Sequence, residues 1–329
     1  MDEVNTTSGL VRAVPGSAVS DRTAVSSHKD GGTPWGGTLW NIVLTMRPRQ
    51  WVKNLLVFVA PAAAGVLTSR LDLLRSLAAF GIFCAVASGV YLMNDAVDAE
   101  ADRLHPEKRA RPVASGALTS TRAVAAAALL MALALVSAWF VARWALVLVI
   151  GVYALISIAY TFRLKREPVI ELAAVASGFV LRAIAGGMAT HIPLSSWFLA
   201  VASFGALFVV TGKRAGEHRR LGEPRGQHRK VLATYTASFL RSTLTLTATV
   251  TVTAYCFWAF DKGGLQSHAS HHFVWIQLSV IPIILGTLHM LRLVDAGLVD
   301  APESLVFHDH VLQMLGAFWV VMFSIGIYG

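Results

Sequence analysis

Asp95, Asp98 and Asp102 stand three and then four residues apart in the stretch NDAVDAEADRLHPEKRARP (Asn94–Pro112), directly after a run of apolar residues. Read as a helix, this spacing puts the three carboxylates within an arc of about 60° on one face, with Asn94 at its edge. Carboxylates so close repel one another unless a cation sits among them. Oxygen donors at this density suit Mg²⁺, which keeps some waters and completes its shell with substrate phosphates. The competing reading is a solvated acidic helix end paired with Arg103, Lys108 and Arg109. Aspartate is a poor helix former, and a membrane-proximal helix end gains little from three of them. The bases that follow, Lys108, Arg109 and Arg111, read either as anchors at a membrane face or, beside a metal, as phosphate ligands.

Other polar groupings stand near the ends of apolar runs. YTFRLKREPVIEL sets Tyr160, Arg163 and Lys165 ahead of Pro168, which suits the first turn of a helix, and Glu171 falls just inside it. Arg182 returns to the side of Glu171 within about 20°, so polar groups extend into an apolar run, where a charge is functional or paired. TGKRAGE offers Lys213 and Arg214, with Glu217 one helical turn beyond Lys213 as an ion-pair partner. MRPRQWVKN lines up Arg47, Arg49, Gln50 and Lys53 as an interface anchor or as a clamp on a lipid phosphate. HRRLGEPRGQHRK reads as a solvated basic segment near anionic lipid heads. APESLVFHDHVLQ brings Glu303, His308, Asp309 and His310 to the start of the last apolar run, with Asp309 placed to cap a helix. SHASHHF, with His268, His271 and His272, reads as a loop on the opposite face and not as a metal site.

The elements that must position these groups are membrane helices. The chain is 55% hydrophobic and only 14% charged, against about 25% charged in soluble domains. Nine spans are expected: Asn54–Ser69, Leu77–Met93, Ala123–Ala142, Trp144–Phe162, Val169–Ala189, Ile192–Gly212, Ser242–Phe260, Phe273–Leu291 and Val311–Tyr328. Most have the length that crosses a hydrocarbon core, and no alternation supports a β-barrel. One set of loops holds twenty lysines and arginines, the other four. The positive-inside rule puts the richer set, with every grouping above except SHASHHF, in the cytoplasm. Basic residues confined to loops at one membrane face argue against nucleic acid, despite the net charge of +9. Residues 1–40 read as a disordered cytoplasmic tail and 41–329 as one all-α transmembrane domain. Cys84 and Cys256 both fall in apolar runs, which excludes a disulfide framework.

NDAVDAEAD followed by HPEKRARP resembles the first aspartate-rich motif of the UbiA superfamily of intramembrane prenyltransferases. Within it, RPRQWVKN, NDAVDAEADRLHPEKRARPVASG, YTFRLKREPVIEL, GFVLRAIAGG, GKRAGE and DHVLQ are similar to the decaprenyl-phosphate phosphoribosyltransferases of actinobacteria, from Arg47 to Gln313. The resemblance implies a UbiA-like bundle in the plasma membrane with its active site on the cytoplasmic side. It implies Mg²⁺-dependent transfer of 5-phosphoribose from phosphoribosyl pyrophosphate to decaprenyl phosphate, a step toward arabinogalactan of the cell wall. Asp95, Asp98 and Asp102 are then the catalytic metal ligands, with Asn94 beside them. Lys108, Arg109, Arg111, Tyr160, Arg163, Lys165, Glu171, Lys213 and Arg214 are expected on the donor, and Gln50, Lys53 and Arg182 on the lipid phosphate. A homo-oligomer is left open. The rival within the superfamily is an aromatic prenyltransferase with a prenyl diphosphate donor. It calls for a second aspartate pair, where YTFRLKREPVIEL offers Glu171 and bases. A transporter is the rival from another class, and no inverted repeat supports it.

Overall fold

The computed structural model describes residues 34–220, 230–265, 273–297 and 309–329, and every regular element among them is helical. Arg225 and Arg229, the histidines of SHASHHF, and Glu303 and His308 lie outside the described residues. Seven helices are long and apolar enough to cross a membrane. With the UbiA-type sequence pattern, this makes the chain an integral membrane protein.

The first helix, α1 (Pro34–Met46), takes in residues that the sequence reading left in the tail. Leu39 and Trp40 on it are exposed, as befits a helix lying against lipid. The expected first span is not an α-helix. Pro48–Phe58 winds as a 3₁₀ helix and passes into a short α2 (Val59–Ala63). Pro48 opens the segment without an N–H to lose, and Gly65 ends it at φ 76°. A 3₁₀ helix rises about 2 Å per residue, so a short segment still covers much of the bilayer. At three residues per turn Trp51, Asn54 and Val57 fall on one edge. Trp51 Nε1 donates to Ser88 Oγ, Asn54 meets Arg182, and the Val57 carbonyl lies where a Cβ on Gly186 would stand, 1.8 Å away. Only glycine admits that approach.

α3 (Arg70–Val97) starts at Ser69, whose hydroxyl accepts from the Asp72 amide. A short α4 (Ala99–Arg103) follows it. α5 (Ser120–Phe162) is capped by Thr119 and breaks at Ala142 and Arg143, where Arg143 has φ 48°. The break falls between the expected third and fourth spans. α6 (Ile170–Ala189) and α7 (Ser196–Arg220) come next, then α8 (Ala237–Leu265), α9 (Phe273–Leu278), α10 (Val280–Asp295) and α11 (His310–Tyr328). The expected eighth span is thus bent at Ser279, between α9 and α10.

One core joins α3, α5 and α6 through Ala79, Phe83, Val86, Ala138, Ile150 and Ala185. A second joins α6, α7, α8 and α10 through Leu172, Phe208, Leu240 and Leu293. Alanines let the helices approach closely, because lipid offers apolar side chains no reason to prefer each other. Many other large apolar residues face outward. On α5, Leu129, Leu133, Val136 and Phe140 form an exposed stripe at helical spacing.

Candidate active site

The three aspartates do not share one face. α3 ends at Val97, and Asp98 caps it at φ −87°, ψ 5°, outside helical geometry. α4 then restarts at Ala99. Asp95 and Asp102 turn inward and are buried, while the Asp98 side chain remains 38% exposed.

The inward pair shares one cation. Arg111 Nη1 donates to Asp102 Oδ2 at 2.7 Å and to Asp95 Oδ1 at 3.2 Å. Arg47 Nη2 reaches the same Asp95 oxygen at 2.6 Å, with its guanidinium over the Tyr91 ring. Lys108 Nζ stands 3.8 Å from Asp102 Oδ1. Asp98 instead accepts from Lys165 Nζ, at 3.0 and 3.3 Å to its two oxygens. Asn94 Oδ1 accepts from the Thr161 hydroxyl at the end of α5. The 3₁₀ entry, the α3–α5 connection and the α5–α6 connection therefore meet over the aspartates. Arg109 and Arg163 are exposed, and their side chains make no hydrogen bond or ion pair among the described residues. Gln50, Lys53, Tyr160 and Lys213 are half-buried at the helix ends that carry them.

An arginine nitrogen between two buried carboxylates occupies the position where two hard anions call for a cation. Asp95 and Asp102 thus fit a divalent ion that draws its other ligands from water and phosphate. Among the described residues, no three acidic, histidine or cysteine side chains gather into a cage that holds a metal alone.

Glu171 and Arg214 are given to each other. Arg214 Nε and Nη2 bind both Glu171 oxygens at 2.7 and 2.9 Å, and its Nη1 binds Glu217 at 2.9 Å. Glu217 thus pairs with Arg214 at i,i+3, besides the Lys213 partner that spacing suggested. Tyr235 completes the group, its hydroxyl 3.4 Å from Glu171 Oε1 and accepting from the Val169 amide at 2.9 Å. Burial pushes the Tyr235 phenol up, so it stays protonated, against the pull of that amide. Val169, at φ 65°, holds a conformation costly for a β-branched residue. That strain lets α6 start at Ile170, past Pro168.

Arg182 is buried among neutral partners. Nε donates to Asn54 Oδ1 at 2.7 Å, Nη2 to the Tyr153 hydroxyl at 3.1 Å, and Nη1 to the Gly178 carbonyl. Phe83 and Tyr153 present their rings at 5.4 and 4.9 Å, which spreads the charge over aromatic faces. The buried pair that a mid-span arginine suggested has no carboxylate here. Asn54, Tyr153, Thr161 and Tyr235 escape sequence reasoning. Asn54 alone carried a signal, as an amide at the mouth of an apolar run.

Residues 55–322 match the UbiA prenyltransferase family. The chain is 40% identical over 294 residues to the decaprenyl-phosphate phosphoribosyltransferase of Mycolicibacterium smegmatis, covering 87% of this chain and 92% of that protein. It is 42% identical over 283 residues to the protein of that name from Mycobacterium tuberculosis, covering 85% and 91%. A UbiA homologue from Archaeoglobus fulgidus, solved with GPP and Mg²⁺, superposes with TM-score 0.63 at 18% identity, over 87% of this chain and 98% of that one. Digeranylgeranylglyceryl phosphate synthase superposes with TM-score 0.61 at 16% identity, over 89% and 98%. Motif, helical bundle and family match agree: the chain belongs to the UbiA prenyltransferase family.

Proposed function

We propose that the chain transfers 5-phosphoribose from phosphoribosyl pyrophosphate to decaprenyl phosphate and releases pyrophosphate. The observation that carries this reading is identity of 40% or more to enzymes of that name over most of the chain. The site agrees with it. Arg47, Lys108, Arg111 and Lys165 gather at three aspartates, an excess of cations suited to a donor with a 5-phosphate besides its pyrophosphate. An aromatic prenyltransferase, whose donor carries only a diphosphate, has less use for so many.

In this mechanism the donor phosphates take over the cations that the aspartates now hold. Lys108, Arg111 and Lys165, with exposed Arg109 and Arg163, grip pyrophosphate and 5-phosphate. Asp95 and Asp102, with Asp98 and Asn94 in the same segment, would hold Mg²⁺, which supplies charge neutralisation for the leaving pyrophosphate. The bond from ribose C1 to pyrophosphate oxygen breaks, and a bond from C1 to an oxygen of the lipid phosphate forms. That oxygen is already anionic at neutral pH, so no general base is needed. A nearby carboxylate stabilises the cationic character at C1. Gln50 and Lys53 receive the lipid phosphate at the mouth, and Arg182 lends positive potential from deeper in the bundle. The prenyl tail has an apolar groove of about 550 Å³ between the 3₁₀ segment and α11, lined by Leu55, Phe58, Trp319 and Phe323. Counting α5 twice and the 3₁₀ segment once gives nine crossings, and the excess of lysine and arginine at the helix ends beside the aspartates supports reading that face as the cytoplasmic side of the plasma membrane.

The test is a transfer assay in nanodiscs with labelled phosphoribosyl pyrophosphate, decaprenyl phosphate and Mg²⁺. Label entering the lipid phase, and stopped by EDTA, is expected. Prenylation of an aromatic acid with no sugar transfer would reject the reading in favour of its rival.

A further inference from the structure

The far side of α7 carries a second basic site. Arg214 faces α6 and Glu171. Arg219, five residues on, is rotated about 140° from it and points to α10. There a cavity of about 350 Å³ opens between the ends of α7, α8 and α10. Each helix gives it one guanidinium: Arg219, Arg241 and Arg292. Among the described residues they face one carboxylate, Asp295. Arg241 Nη2 lies 3.2 Å from Asp295 Oδ1 and Arg219 Nη2 3.6 Å from it, and Arg219 Nη1 also donates to the Asp295 carbonyl. The Arg292 guanidinium makes no hydrogen bond or ion pair among the described residues. Among the described residues, three guanidinium groups against one carboxylate leave the rim positive, and the pairs that form are more than a third exposed, so water and salt weaken them.

Below the rim the wall changes character. Leu240, Leu244 and Leu291 line it. Leu244 lies one turn beyond Leu240 and Arg241, farther along α8 toward the interior of the membrane. The cavity is thus cationic at the helix ends and apolar toward the bilayer. A free phosphate satisfies only the upper part. A lipid with a phosphate head satisfies both.

We propose that this cavity binds the phosphodiester head of an anionic phospholipid, with an acyl chain against Leu244 and Leu291. Basic pockets between membrane helices favour such heads through the charge of each arginine near the surface. The lipid clasps the ends of α7, α8 and α10 from the side opposite the aspartates. None of its residues belongs to the proposed transfer machinery, so the site stands whether or not that reaction is the right one.

The full chain in detergent is titrated with phosphatidylglycerol, and bound lipid is counted by native mass spectrometry with thermal unfolding alongside. The wild type is expected to retain phosphatidylglycerol over phosphatidylcholine and to melt higher with it. Arg241→Gln and Arg292→Gln should each weaken that binding roughly fivefold. Ala237→Trp fills the mouth while keeping every charge, and it should lose the lipid even if the arginine variants fold poorly. Inorganic phosphate at matched concentration should not displace it. Equal affinity in wild type and Ala237→Trp, no preference over phosphatidylcholine, or displacement by inorganic phosphate would each overturn the assignment. So would a raised KM for decaprenyl phosphate in Arg292→Gln, since that would make the cavity part of the acceptor site.

Discussion

Two acid–arginine associations sit at neighbouring helix ends and differ in what they leave free. Glu171 and Arg214 are sealed, with side chains 0% and 4% exposed and every guanidinium nitrogen bound to protein. Asp95 and Asp102 are as buried as Glu171 is, but their cations are not: Arg111 is 30% exposed and Lys108 45%. A sealed pair has no capacity for a third party. An open one exchanges its partner when a more highly charged anion arrives. On the proposed function, carboxylates paired with basic side chains therefore act as a strut in one place and as a receiving site in the other, and the exposure of the cation decides which.

The largest effect that tests this contrast is on turnover. Asp102→Asn should lower the transfer rate roughly 10²–10³-fold while the melting temperature changes little. A variant that melts far lower yet keeps its rate would erase the distinction. Next is the strut. Glu171→Gln strands a buried guanidinium and should cost about 3–5 kcal/mol, read by thermal unfolding, with the donor KM of the folded fraction unchanged. The double change Glu171→Gln with Arg214→Met should recover much of that loss, since a neutral pair has no charge to strand. A donor KM that rises in Glu171→Gln would instead return Glu171 to the site. Third, Arg111→Lys keeps the charge but loses the planar guanidinium whose Nη1 bridges two carboxylates, and should raise the donor KM roughly tenfold or more. Smallest is a carboxylate outside both regions. Asp309 caps α11 through the Leu312 amide, which, with His289, holds its carboxyl below the usual aspartate range. A folded value lower than the unfolded one adds stability above about pH 4 that is lost as pH falls through the folded value. The gap in melting temperature between wild type and Asp309→Ala should be constant from pH 6 to 8 and close only below about pH 4.

The charged residues of the site were legible because charge is rare in this chain and collects at helix ends. The seven long apolar helices were legible from length. What stayed hidden depends on neighbours far away in sequence. Nothing in DAVDAEAD announces that the helix stops at Asp98, so one acidic face was expected where two carboxylates are buried and the third is partly exposed. Arg182 finds Asn54 from 128 positions away, and no local pattern foretells a neutral partner. Val169 bears the strain that Pro168 seemed placed to avoid. The 3₁₀ winding had cues in Pro48, Pro61 and Gly65, but an apolar run of that length reads first as an α-helix.

That winding bears on how the chain tolerates changes of length. Deleting one residue from an α-helix turns everything beyond it by about 100°, and three or four deletions still leave it about 40–60° off the original face. In a 3₁₀ helix one deletion turns the rest by about 120°, and three bring the same edge back, displaced by about 6 Å. Between Arg47 and Phe58, losses or gains of three keep one edge against α3 and α6 and another toward the mouth. Single-residue changes drive Lys53 or a neighbour into the wall that Gly186 keeps clear. Related chains of different length should therefore differ in this segment by threes or not at all.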